Sequence, residues 1–411
     1  IFMRRVEDDA HWSLVCPGGC SELASRWGED FDQAYEREEA SGLNVVRRIK
    51  ARELWSAILD AQIETGTPYI LFKDACNSKS NHKHLGPLRC SNLCTEILEY
   101  VSPTEVAVCN LASVALPRCV HDGRFDFSKL EMATRMLVVN LNRVIDGSFY
   151  PISEASHSNM RHRPIGIGVQ GLADVFQELH LAFDEDDARA LNRDIFETMY
   201  FSALSESINL ARRDGPYATY EGSPLSKGLL QPDLWGVVLT DTRHNWTELR
   251  ANLRLFGARN SLLMAPMPTA STAHILGNTE AFEPITSNMY TRRVLSGEFA
   301  LVNARLVREL TALGMWNDTV KQAIIRDNGS VQNIRDLPEH IKRIFRTVWE
   351  IRMKSVIDMA ADRAPFIDQG MSMNLFMETA THAKLTGALF HAWRCGLKNG
   401  CYYLRTKAAS A

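Results

Sequence analysis

Apolar positions divide the chain into long stretches with helical spacing, separated by short apolar runs. Apolar residues recur every three or four positions through roughly 45–65, 127–146, 185–213, 246–257, 298–313, 336–361 and 381–398, as expected of helices with one buried face. Val46, Ile49, Leu54, Ile58 and Leu59 form the first such set. Between them lie β-branched or aromatic runs too short for helices: Tyr69–Phe72, Val106–Val108, Ile165–Val169, Ser261–Met264 and Tyr402–Leu404. Short strands alternating with long helices predict βα units, which build open sheets or barrels. The pattern alone leaves that choice open. No linker, internal repeat or low-complexity stretch interrupts it, so one α/β domain over residues 1–411 is expected.

Composition mainly excludes. Of 411 residues, 45% are hydrophobic and 23% charged, ordinary values for a globular domain. A net charge of -3 gives no electrostatic case for nucleic acid or an anionic membrane. No apolar run approaches the ~20 residues of a membrane helix, and Ile1-Phe2-Met3-Arg4-Arg5 lacks a signal-peptide pattern. Nine cysteines, an odd number without dense spacing, suit a reducing compartment. Cytoplasm is therefore the expected location.

The densest chemistry lies in Cys90-Ser91-Asn92-Leu93-Cys94-Thr95-Glu96, followed by Cys109-Asn110-Leu111-Ala112-Ser113. In an extended segment alternate residues share a side, so Asn92, Cys94 and Glu96 would offer an amide, a thiol and a carboxylate on one wall. The plain alternative for Cys94 is a buried packing cysteine, and for Cys109 a small residue in a strand at Val106–Val108. Pro268-Thr269-Ala270-Ser271-Thr272 brings small residues and hydroxyls to an apparent helix start before Ala273-His274-Ile275-Leu276. That is an anion site or an ordinary cap. Tyr402 and Tyr403 are adjacent, so in a regular strand they would face opposite ways. A shared role needs irregular backbone.

The segment around Cys94 resembles the active-site loop of the class I ribonucleotide reductase large subunit, of eukaryotic type. Five more segments resemble that family in the same order: Arg163–Asp174, Ala265–Thr272, Ser287–Arg293 running on to Gly297-Glu298-Phe299, Phe366–Gln369 and Tyr402–Thr406. The resemblance implies part of a ten-stranded α/β barrel with the Cys94 loop threaded through its centre. It implies reduction of ribonucleoside diphosphates by thiyl-radical chemistry, with Cys94 as hydrogen abstractor, Glu96 as general base and Asn92 and Ser91 orienting the substrate. Cys109 would be one of two redox thiols, its partner lying upstream of residue 1. Pro268, Thr269, Ala270, Ser271 and Thr272 would hold the substrate's phosphates.

Tyr402 and Tyr403 would relay oxidising equivalents from a small subunit, whose metal cofactor supplies the radical. Thioredoxin or glutaredoxin is the implied reductant, and a homodimer or higher oligomer the implied full-length assembly. No cofactor or metal is expected in this chain itself. The regulatory cone that takes ATP and deoxynucleotide effectors, and a C-terminal cysteine tail, are expected outside this stretch. A non-catalytic piece that only docks the small subunit is the alternative reading.

Other motifs have simpler explanations. Gly166-x-Gly168-x-x-Gly171 matches a dinucleotide fingerprint but stands alone. Cys16, Cys20, Cys90 and Cys94 have spacings that zinc thiolates allow, without further support. Cys76, Cys119, Cys395 and Cys401 read as packing or surface residues, Arg161-His162-Arg163 as a solvated basic face, and Asp184–Asp187 as an acidic helix start.

Overall fold

Helical spacing materialises as helices over Phe127–Gly147, Asp186–Asp214, Trp246–Phe256 and His382–Arg394 in the computed structural model, which describes residues 1–240 and 243–407. Side chains close their first turns: Asp126 accepts from the Lys129 N–H, Asn245 from Glu248 and Thr381 from Lys384. Asp186 and Asp187 sit in the first turn of their helix, as expected, while Asp184 and Glu185 pair with Arg346 and Arg343. No helix among the described residues is long and apolar enough to cross a membrane.

Three expected helices are shorter than their periodicity suggests. Val45–Lys50 is a strand, antiparallel to His11–Val15, and the helix begins at Ala51. Its β-branched residues and the Trp12–Ile49 cross-strand pair outweigh the helical spacing. Gly297–Val302 is likewise a strand, in a hairpin with Met289–Val294, and the helix Ala304–Ala312 starts only after Asn303 caps it. The stretch 336–361 breaks into Glu339–Ile344 and Met353–Arg363, because Thr347 and Glu350 form a capping box between them. The strand expected at Val106–Val108 does not form. Val106 is exposed, its N–H bonds to the Glu154 carbonyl, and the strand starts at Leu111.

The site is carried by a curved wall of parallel segments. Leu111–Ala115 pairs with Gly166–Gln170, and Ile167 bridges in parallel to Met264. The next segment follows through Gln369 N–H to Met264 O (3.1 Å) and Ser372 N–H to Pro266 O (3.0 Å). Tyr402 N–H then bonds Met373 O at 2.8 Å, and Leu375–Met377 runs parallel to Leu404–Thr406. Asn399–Cys401 ends the series by pairing antiparallel with Ile70–Leu71. Ile165, Ile167, Val169, Leu262, Leu263 and Met264 are all buried. Helices Phe127–Gly147 and Asp186–Asp214 pack together in the same core. This is part of an α/β barrel, as expected.

The fingerprint glycines serve that wall. A Cβ on Gly166 would lie 2.5 Å from Leu111 Cδ2 and 2.8 Å from Ala265 Cβ, and one on Gly168 would lie 2.8 Å from Met267 Sδ. Neighbouring segments approach too closely for any side chain there. Of the Arg161–Arg163 stretch only Arg161 faces solvent, as expected. His162 and Arg163 are buried, with Arg163 bonded to Asp146 and Asn142, and His162 to Glu105 and Thr219.

One buried cation ties the last segments together. Lys398, 4% exposed, donates from Nζ to the carbonyls of Ile367 (3.0 Å), Asp368 (2.7 Å) and Gln369 (2.9 Å). The Asp368 carboxylate accepts the Leu263 and Met264 N–H groups at 2.9 and 2.8 Å. Burial pushes the ammonium below and the carboxyl above their ordinary ranges, and each draws the other part of the way back. Lys398→Met keeps the stem but leaves three carbonyls and a carboxylate without their cation. It is expected to cost about 3–5 kcal/mol, measured as a lowered urea midpoint. A loss within experimental error would show that the clamp is dispensable.

Candidate active site

The loop bearing Cys94 is a tight turn, not the extended segment that alternation suggested. Thr95 sits at φ +70°, its N–H bonds to the Asn92 carbonyl at 3.3 Å, and the Ile97 N–H bonds to Asn92 Oδ1 at 3.1 Å. Asn92 thus spends its amide oxygen on shaping the loop. Ser91 Oγ is also turned inward, onto the Asn92 carbonyl at 2.9 Å. Leu93 at the tip is exposed, Cys94 half-buried and Glu96 fully buried.

The wall segment Gln369–Ser372 holds the loop. Gly370 N–H bonds to Glu96 O at 2.8 Å, and Leu98 N–H to Gln369 Oε1 at 3.0 Å. Ser372 Oγ lies 2.6 Å from the Cys94 carbonyl and 3.0 Å from Glu96 Oε2, so one hydroxyl serves both ends of Cys94-Thr95-Glu96. Asn399 donates to the Thr95 carbonyl at 2.8 Å and accepts the Met371 N–H at 2.9 Å. A Cβ on Gly370 would lie 2.5 Å from the Thr95 carbonyl, so glycine is required by the close approach of two backbones.

Tyr402 and Tyr403 occupy the break between strands Asn399–Cys401 and Leu404–Thr406. That irregularity lets adjacent side chains meet. Their rings are 4.4 Å apart, and Tyr69 completes a triangle at 5.0 Å from each. The Tyr402 hydroxyl donates to Cys94 Sγ at 3.3 Å. Desolvation raises the Tyr402 phenol well above its ordinary range and the Tyr69 phenol to about 12. Desolvation also raises the Cys94 thiol, against the opposing pull of the Tyr402 hydrogen bond. Both groups of the contact therefore rest protonated at neutral pH.

Cys109 is exposed as a residue, yet its sulfur is crowded. Lost hydration, then the Glu99 and Glu96 carboxylates and Cys94, push its thiol to about 11. Cys109 thus lies within range of the charges on Glu99, Glu96 and Cys94. The helix Ala270–Leu276 begins where expected, with Ala270, Ser271 and Thr272 exposed at its start. Pro268 is half-buried, and Thr269 is buried, with its Oγ1 accepting the Ala281 N–H at 2.8 Å. Ser372 connects this segment to the cysteine loop, bonding Pro266 through its N–H and Cys94 through its hydroxyl. Among the described residues, Cys16, Cys20, Cys90 and Cys94 do not gather at metal-binding distance.

Residues 1–403 match the sequence profile described as the ribonucleotide reductase barrel domain. The chain belongs to that family. The ribonucleoside-diphosphate reductase large subunit of Vaccinia virus is 56% identical over 414 residues, covering all of this chain and 53% of the relative. The Caenorhabditis elegans large subunit is 54% identical over 410 residues, covering all of this chain and 52% of its own length. The chain thus spans about half the length of these curated relatives. Among solved structures, the Actinobacillus ureae class Id ribonucleotide reductase alpha subunit superposes with a TM-score of 0.69 at 28% identity, covering 87% of this chain and 62% of that one.

Within this ribonucleotide reductase barrel, sequence reasoning missed Ser372, Asn399, Tyr69 and Glu99. Ser372 and Asn399 are polar residues in unremarked stretches and gave no signal. Tyr69 stood in an apolar run that read as core. Glu99 is 4% exposed, takes the Val108 N–H on one side and has its Oε2 buried without a partner among the described residues. Desolvation raises its carboxyl to about 8 from 4.5.

A folded-state value above the unfolded one means that the native state holds the proton more tightly. The resulting stability is present in full below about 4.5 and is lost as pH rises through about 8. Glu99→Gln mimics the protonated form. Relative to the parent, it is expected to gain about 1–3 kcal/mol between pH 5.5 and 8.5, read from denaturant midpoints at the two pH values. An unchanged difference would place Glu99 in a wetter setting.

Proposed function

We propose that the protein carrying this chain reduces ribonucleoside diphosphates to 2′-deoxyribonucleoside diphosphates through a transient thiyl radical on Cys94. The observation that carries this reading is the 3.3 Å contact from the Tyr402 hydroxyl to Cys94 Sγ, backed by the Tyr403 and Tyr69 rings. A 2′-hydroxyl is a poor leaving group on an unactivated carbon, and a radical at the neighbouring 3′ carbon activates it. The Cys94 thiyl abstracts the 3′ hydrogen and later returns it. Glu96 takes the proton of the 3′-hydroxyl, its carboxylate oriented by Ser372. With Oδ1 engaged by Ile97, Asn92 offers substrate its amide N–H groups.

The exposed helix start at Ala270–Thr272, with Pro268 and Thr269, receives the diphosphate. Cys109 contributes one thiol of the pair that becomes oxidised at each turnover, and thioredoxin or glutaredoxin restores it. The small subunit's metal cofactor supplies the oxidising equivalent, which reaches Cys94 through Tyr403 and Tyr402. The full-length protein works in the cytoplasm as a dimer or larger assembly under ATP and deoxynucleotide control.

Two substitutions test this in the full-length protein with its small subunit. Cys94→Ser removes the abstractor with little change of volume. Tyr402→Phe removes the hydroxyl that meets it. Each is expected to lower deoxynucleotide formation by at least ~10³-fold while nucleotide binding, followed by calorimetry, stays near the parent level. Substantial residual turnover in clean Cys94→Ser protein would overturn the assignment.

A further inference from the structure

Away from the cysteine loop, helices Met353–Arg363 and His382–Arg394 pack together and bring Asp358, His391 and Cys395 to one point. His391 and Cys395 are four residues apart and lie on one helical face, with Asp358 facing them from the other helix. His391 Nε2 is 2.6 Å from Asp358 Oδ1 and 3.7 Å from Cys395 Sγ, and one ligand atom from each of the three lies within 4.8 Å of the others. A single nitrogen thus faces both other ligands. The site is half-buried, with His391 27% and Asp358 18% exposed, so a fourth position can face water.

We propose that Asp358, His391 and Cys395 form a binding site for a borderline-soft divalent cation of the zinc type. Imidazole nitrogen, thiolate sulfur and carboxylate oxygen are the ligands such an ion prefers, and three protein ligands with one open position are a common arrangement. Bond lengths of about 2.0–2.1 Å to nitrogen and oxygen and about 2.3 Å to sulfur put tetrahedral neighbours about 3.3–3.6 Å apart. The histidine–cysteine separation already suits this. The histidine–aspartate pair, at 2.6 Å, must open by about 0.7–0.8 Å as the ion replaces their shared proton.

Binding leaves the ion on neutral imidazole, thiolate and carboxylate. The Cys395 proton leaves to solvent, and the Nε2 proton is lost there as Nδ1 takes one up. Lys354 holds Asp358 Oδ2 at 2.6 Å and leaves Oδ1 for the ion, while the nearby Asp362 is engaged by Arg189. An ion here cross-links the helix Met353–Arg363 to the one that leads through Gly396 and Leu397 into Lys398 and Tyr402.

Cobalt(II) added to the reduced protein tests the site directly. One equivalent is expected to give a thiolate-to-metal charge-transfer band and tetrahedral d–d absorption, both displaced by zinc. Cys395→Ser should lose that band and one equivalent of binding, and Asp358→Asn should weaken it at least ~10-fold. Identical spectra and stoichiometries for parent and Cys395→Ser would overturn the proposal. The parent protein gives a second reading that needs no variant. Zinc should slow alkylation of the Cys395 peptide, followed by mass spectrometry, while Cys16, on the surface, alkylates as before. No protection of Cys395 by zinc would equally overturn the site and leave an ordinary histidine–aspartate hydrogen bond beside a thiol.

Discussion

The Lys398 ammonium is the constraint on which the rest of the site depends. Three consecutive carbonyls, from Ile367 to Gln369, turn toward one buried cation. That fixes the backbone of the segment whose next residues, Gly370 and Ser372, seat the cysteine loop. Asp368 extends the same clamp to the segment at Leu263 and Met264, which bridges Ile167. Removing a charge from water is costly, and the arrangement persists because every donor on the ammonium finds an acceptor. Cys94, Glu96 and the segment from Pro266 therefore inherit their relative positions from a lysine that none of them contacts through a hydrogen bond.

Much of the fold was legible because helix and strand periods differ. The long amphipathic helices of the core, such as Phe127–Gly147 and Trp246–Phe256, lie close to where the spacing puts them. Where legibility failed, a competing local preference decided. Val45–Lys50 and Gly297–Val302 carry apolar residues at positions compatible with either period, and pairing with a partner strand settled them. The partner of Gly297–Val302 lies just across a turn, where hairpin pairing competes with the helical period, whereas that of Val45–Lys50 lies far off in sequence. Barrel closure is a global property of the same kind, which is why strand and helix alternation left sheet and barrel equally open.

Motif order picked out the residues proposed to react but not those that support them. Cys94, Glu96 and Tyr402 stand in ordered motifs, and the structure brings Tyr402 to Cys94 and ties Glu96 to the same loop through Ser372. Ser372 and Asn399 act through hydrogen bonds to backbone carbonyls, an activity open to any short polar residue. Alternation also misplaced the shape of the loop, since a positive φ at Thr95 converts an extended run into a turn. The glycine motif that resembled a nucleotide fingerprint is explained by sterics, with neighbouring chains filling the space that a Cβ would need.

The partial burial of the contact between Tyr402 and Cys94 bears on what could cross it. Desolvation holds phenol and thiol alike in their neutral forms. An electron passing alone would leave a charge where burial makes it costly. A hydrogen atom moving between oxygen and sulfur leaves both partners neutral, and the surroundings need not rearrange. On the route proposed for oxidising Cys94, proton and electron would therefore cross this gap together.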